Sequence, residues 1–290
     1  MVYVKLLMTA FFWGGTFVAG RILREHVGSF SAAFLRFSVA AVLLLAIVRK
    51  NEGRFPKLTR TQWLSIALLG LTGVFAYNAF FFKGLQLISA GRAALIIATS
   101  PVLIALFSAW LYGEKLSLLK IAGILLSVSG AVVVITRGRL TDLVTHGLGI
   151  GEIMIFGCVL SWVAYSLLGK SVMQVISPLV ATAYAALAGM LFLAIPAWVE
   201  GMPGQVPSYS AAEWASIVYL GLFGTVIGFV WYYEGIRQIG PMRAGLFINF
   251  VPVSAIILAF FILSEPVTIS IMIGAGPVIT GVYLTNRLSG

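Results

Sequence analysis

Acidic residues are scarce in this 290-residue chain, nine Asp and Glu against nineteen Lys and Arg, and there are only two histidines and one cysteine. The lone thiol, Cys158, has no partner for a disulfide, and His26 and His146 fall in loops. A disulfide scaffold and a Cys/His metal site are therefore excluded. Charge of either sign is thin: 10% of residues are charged, where a soluble domain carries about 25%. With 60% of residues apolar or aromatic, a water-facing surface cannot be covered, so the chain is read as lying in a bilayer. The net charge of +10 is no nucleic-acid signal, because the basic residues stand singly between apolar runs and form no basic face or motif.

What the chain does have is apolar length. A helix needs about 20 residues to cross the hydrocarbon, and the hydropathy pattern predicts ten such spans, at 3–22, 30–48, 63–83, 90–111, 117–136, 149–169, 177–199, 213–234, 242–263 and 267–286. The first, with Lys5 ahead of an apolar run, has the look of a signal peptide. Its counterpart around Trp162 is internal, so it is read as a retained helix. With the amino terminus in the cytoplasm, about twelve basic residues fall on that side against about six opposite, and the 49–60 loop decides the balance. Both termini are expected inside.

The chain also repeats itself. Residues 61–132 and 212–283 align in register, pairing Trp63 with Trp214, Gly70 with Gly221, Gly73 with Gly224, Arg92 with Arg243, Pro101 with Pro252 and Glu114 with Glu265. General hydrophobicity does not match Gly, Pro, Glu and Trp in this way. The repeat extends upstream, Trp13-Gly14-Gly15-Thr16-Phe17 reading against Trp162-Val163-Ala164-Tyr165-Ser166. Five spans per copy is an odd number, so the second copy enters the membrane from the opposite side. The expected architecture is all-α: two inverted five-helix repeats, 1–140 and 141–290, framing a central site near the midplane.

Trp13, Thr16, Phe17 and Gly20 share one helix face, and Trp162, Tyr165, Ser166 and Gly169 repeat that spacing. A face mixing aromatics with hydroxyls lines a cavity or packs helices. Tyr77, Asn78 and Phe81 on the third span, and Asn249 on the ninth, are further candidates for substrate contact, because an amide in hydrocarbon must find a partner. Pro101 and Pro252 kink their helices and remove the bonds to the carbonyls of Ile97 and Ile248. Thr99 and Ser100 beside the first notch either hold substrate or heal the kink. Arg36, about a turn and a half into the second span, is read first as snorkelling outward or pairing structurally, and only second as a substrate contact. Glu114, Glu234 and Glu265 fall at span ends, and no carboxylate lies near a span centre. That absence favours a facilitator over a proton antiporter. Lys83 is expected to face Glu265 at the outer end, and Glu234 to share the inner end with Glu114, Lys170 and Arg243; these residues either anchor helix ends at the interface or pair as gates.

Ala93-Ala94-Leu95 through Ser100-Pro101-Val102, Leu111-Tyr112-Gly113-Glu114-Lys115-Leu116-Ser117, Gly123 and Gly130, with their second-half echoes Val251-Pro252-Val253, Ser264-Glu265-Pro266, Gly274 and Gly281, resemble the signature of the EamA family in the drug/metabolite transporter superfamily. Pro266 departs from the pattern, standing where the first copy has Lys115. Within the family the chain most resembles YddG-type aromatic amino-acid exporters. The resemblance implies helices 1 to 4 and 6 to 9 around a cavity with 5 and 10 peripheral, no cofactor, and a small-molecule substrate. The expected location is a bacterial inner membrane; the oligomeric state is left open, a monomer being compatible with the sequence. Amino acids lead as substrates, since a zwitterion needs donors and acceptors without net countercharge; other metabolites or amphipathic drugs, with ion coupling, are the alternative. An enzyme lacks the intramembrane acids, histidine pair or nucleophile motif it needs, and a channel would be told from a carrier by its non-saturating flux.

Overall fold

The computed structural model describes residues 1–112, 118–135, 149–267 and 269–287, and Glu114 lies outside them. The described residues are helical, without strands. In chain order the helices are α1 (Val2–Leu23), α2 (Ser29–Glu52), α3 (Arg60–Leu87), α4 (Ala90–Leu111), α5 (Leu118–Ile135), α6 (Ile150–Val172), α7 (Pro178–Val199), α8 (Ala211–Gly245), α9 (Phe250–Leu263) and α10 (Ile269–Arg287). Seven of them, α1 to α4 and α6 to α8, are long and apolar enough to cross a bilayer.

Local chemistry sets the breaks. Thr59 and Gln62 form a reciprocal capping box at the start of α3, and Ser210 and Glu213 form the same box at the corresponding point of α8. Each of these helices widens into a π-helical stretch midway, Gly70–Ala76 and Leu222–Ile227. Glycine is required there because other backbones come close: a Cβ on Gly70 would lie 3.0 Å from the Ala185 carbonyl, and one on Gly221 would lie 3.0 Å from the Arg36 carbonyl. Such approaches are what hold helices together where lipid is as apolar as the side chains. Gly240, with φ of 83°, turns the chain out of the long α8 run, ahead of Pro241.

The packing pairs come in repeat-related sets. α1 packs on α8 and α9, and α6 on α3 and α4; α2 packs on α8, and α7 on α3. α2 and α7 pair with each other, and α5 and α10 chiefly with each other. The two ends of the bundle differ. At one, ion pairs and caps knit the helix termini together; at the other, a mouth of about 660 Å³ opens between Lys5, Asn51, Glu52, Ser177, Glu234 and Arg237.

Candidate functional site

At the heart of the bundle α1 and α6 meet through their tryptophans, Trp13 and Trp162, ring centroids 5.1 Å apart and edge to face at 85°. The spacing that puts Trp13, Thr16 and Phe17 on one face of α1 points all three at a small cavity. Tyr77 and Trp162 close its sides, and Ile97 and Ile248, the two residues four before the prolines, reach it from α4 and from the turn ahead of α9. Phe229 and Val251 complete most of the wall. The volume is about 30 Å³, room for about one water. An amino-acid-sized solute is admitted only if the helices part.

The remaining wall residue is Arg36, only 3% exposed. It does not snorkel outward, because its guanidinium is held from both halves of the chain. Nε donates to Thr225 Oγ1 at 2.8 Å, Nη1 to Asn78 Oδ1 at 3.0 Å and Nη2 to the Gly224 carbonyl at 3.4 Å. The faces of Phe37 and Phe229 flank it at 5.2 and 5.8 Å, a cation–π setting that offsets part of its desolvation. The π-helical stretches supply the acceptors. Gly224 and Thr225 lie inside the second one, and Asn78 follows the first, donating its own amide to the Val74 carbonyl at 2.7 Å. The Gly224 carbonyl also accepts from Trp13 Nε1 at 3.0 Å. No ion pair among the described residues includes Arg36.

Other candidates occupy different roles. Thr16 lines the cavity but gives its hydroxyl to the Trp13 carbonyl of its own helix at 2.6 Å. Phe81 stands behind the wall, stacked on Tyr77 at 5.8 Å and edge-on to Phe17 at 5.2 Å. Tyr165 backs Trp162 at 5.2 Å and stacks on Tyr233 at 4.8 Å. The notch at Pro101 is healed locally: α4 breaks between Ile97 and Ser100, and Thr99 and Ser100 donate their hydroxyls to the Ile96 and Ile97 carbonyls at 2.7 and 2.6 Å. Before Pro252 the chain tightens into a 3₁₀ turn, Leu246–Asn249, with Asn249 buried and not among the residues that line the cavity.

At the knitted end Glu265 meets Arg21, not Lys83. Arg21 Nε lies 3.1 Å from Glu265 Oε1, and Nη1 donates to the Leu85 carbonyl at 2.8 Å. Lys83 instead sits over the Phe30 ring at 5.1 Å. Arg92 pairs with Glu152 at 2.7 Å, His26 meets Glu213 at 3.0 Å, and Glu200 accepts from the Ser31 amide and hydroxyl at 2.7 Å each. At the open end Glu234 pairs with Lys5 at 2.6 Å. Arg36, Gly224, Thr225, Phe229 and Arg21 are the site and gate residues that sequence reasoning did not select. The signal for Arg36 was in view: a cation within a span otherwise free of charge.

The EamA-like transporter profile matches residues 1–136 and 149–287, once in each half. The chain belongs to the EamA-like transporter family. This EamA protein is thus a multi-pass membrane transporter and not an enzyme. It is 30% identical over 98% of its length to the uncharacterized transporter YyaM of Bacillus subtilis, covering 93% of that protein. It is 32% identical over 97% of its length to a probable terminal-alkyne amino-acid exporter of Streptantibioticus cattleyicolor, covering 92% of it. A crystal structure with 21% identity superposes with a TM-score of 0.70 over 99% of the EamA chain and 98% of its own, which gives the fold alone.

Proposed function

We propose that this EamA transporter exports amino acids, aromatic and other apolar ones, across a bacterial inner membrane by alternating access and without ion coupling. In this reading the chain crosses ten times as two inverted five-helix repeats, 1–140 and 141–290, with both termini in the cytoplasm. The observation that carries it is the aromatic cavity where Trp13 and Trp162 meet, walled from both halves and set between one knitted end and one open mouth. The reciprocal packing of α1 on α8 and α9 and of α6 on α3 and α4 supports the two-fold relation. The open mouth lies on the side of Lys5 and so faces the cytoplasm, from which an exporter loads. Parting the Arg21–Glu265 and Arg92–Glu152 pairs, whose side chains are largely shielded from solvent, would open the other side, and such end-of-helix pairs bias the balance between two states. The bonds that draw Thr16, Thr99 and Ser100 into their own helices leave the aromatic rings and Arg36 as the surfaces for substrate, while Asn78, outside the wall, holds Arg36 in place.

Proteoliposomes given a labelled amino-acid panel, with and without an imposed pH gradient, test this. Saturable flux of phenylalanine and tryptophan down their gradients, with counterflow, is expected. Uphill accumulation driven by the proton gradient alone would refute the facilitator, and saturable flux of an amphipathic cation in place of any amino acid would move the function to drug export.

A further inference from the structure

We propose that Arg36 binds the carboxylate of the transported molecule, so that a negatively charged planar head, and not an ammonium group, is what the central site requires. The proposal rests on the transporter reading and names its substrate class. A guanidinium in mid-bundle is expensive, and such residues face a cavity or a partner. Arg36 has both a cavity on one side and only neutral partners on the other: a hydroxyl, an amide oxygen and a carbonyl. Seven of the nine acidic residues are described, at positions 25, 52, 152, 200, 213, 234 and 265, and none of them pairs with Arg36. The positive charge is therefore held in place without a counter-charge among the described residues, in a wall that is otherwise aromatic and aliphatic apart from Thr16. The fork has more N–H donors than the three bonds use, and the bond to Gly224, at 3.4 Å, is the longest of the three.

A carboxylate is the anion that fits. It presents two oxygens in the plane of the guanidinium and carries one charge, matching the single cation. A phosphate dianion would bring a second charge into a wall with no second cation among its residues. Rings on Trp13, Tyr77, Trp162 and Phe229 supply apolar contact for the rest of such a molecule. The position of Arg36 also links binding to movement, because its partners belong to or adjoin the π-helical stretches of both α3 and α8. An arriving carboxylate that takes over Nη2 replaces the long tie to Gly224 and so weakens one of the two bonds by which Arg36 joins the halves, the other being that from Nε to Thr225.

Three probes with one ring and different heads separate the alternatives: L-phenylalanine, 3-phenylpropanoate and 2-phenylethylamine. Affinity for the purified full-length protein is measured by equilibrium dialysis and by ligand-dependent thermal stabilisation. The two carboxylates are expected to bind and the amine not to. Arg36→Gln is expected to lower affinity for both carboxylates on the order of tenfold or more, and Arg36→Lys to lower it less while keeping the order of the three probes. An amine that binds as well as L-phenylalanine, a wild-type protein that binds neither carboxylate, or an Arg36→Gln protein with unchanged affinity for 3-phenylpropanoate would overturn the proposal. If Arg36→Gln does not fold, Arg36→Lys decides it: unaltered carboxylate affinity overturns the geometry, and a several-fold loss with the amine still excluded supports it. Carboxylate binding without counterflow in proteoliposomes would leave the Arg36 site standing and remove the export reading instead.

Discussion

The two halves of this transporter use the same backbone and different chemistry at corresponding points. Gly221 lies against the Arg36 carbonyl just as Gly70 lies against that of Ala185, so Arg36 and Ala185 are counterparts. Around them Asn78 corresponds to Phe229, Thr225 to Val74 and Thr16 to Tyr165. One half-site thus assembles a guanidinium with its acceptors, and the other fills the same volume with alkyl and aromatic groups. What recurs is what the backbone needs: capping boxes, π-helical stretches, close-approach glycines and prolines. What occurs once is the charge. A second buried cation at Ala185 would find no side-chain acceptor on Val74 or Phe229.

That contrast can be broken most forcefully at Ala185. Ala185→Arg buries a cation among apolar groups, and a cost of roughly 3–5 kcal/mol is expected. The measurement is the yield and thermal midpoint of monodisperse protein; a stable, well-behaved variant would mean that the single charge is not a structural necessity. Next come the glycines. A Cβ at Gly73 would overlap the Tyr165 ring, whereas one at Gly224 would lie 2.8 Å from the Thr16 Cγ2 methyl and 3.5 Å from Arg36 Nη2. Gly73→Ala is expected to lower stability by about 1–3 kcal/mol and Gly224→Ala by less, with the second reducing carboxylate affinity more. Denaturation in detergent and dialysis with 3-phenylpropanoate read the two effects, and equal effects at both sites would erase the distinction between the halves. The smallest expected effect concerns the ends. The Arg21 and Glu265 side chains are 16% and 17% exposed, those of Lys5 and Glu234 33% and 30%. Glu265→Gln should therefore shift transport rate more than Glu234→Gln, each by about 1 kcal/mol or less; the reverse order would place the principal closure at the other end.

Positions whose role depends on their own helix were readable in advance. Trp13, Thr16 and Phe17 had to share a face because the helical period puts them there, and Pro101 removes the amide hydrogen bond to the Ile97 carbonyl, the point at which α4 breaks. Ser100, by contrast, has a choice between substrate and the Ile97 carbonyl, and the nearer acceptor wins. Lys83 and Glu265 share an end of the bundle, but which cation meets Glu265 depends on how α1 and α9 pack. Arg21 is carried to it by that packing, and Lys83 is drawn over Phe30.

Sequence alone determined the solvent, the doubled scaffold and the absence of a mid-span acid, because hydropathy, Gly, Pro and charge act through local backbone geometry and transfer free energy. Only the tertiary structure decided where Arg36 points. Its acceptors lie 42 and 189 residues away, and a cation on an isolated helix is as ready to reach for an interface as for a core. The packing of α2 against α3 and α8 brings Asn78, Gly224 and Thr225 to the guanidinium, making the interior the position where the charge is solvated.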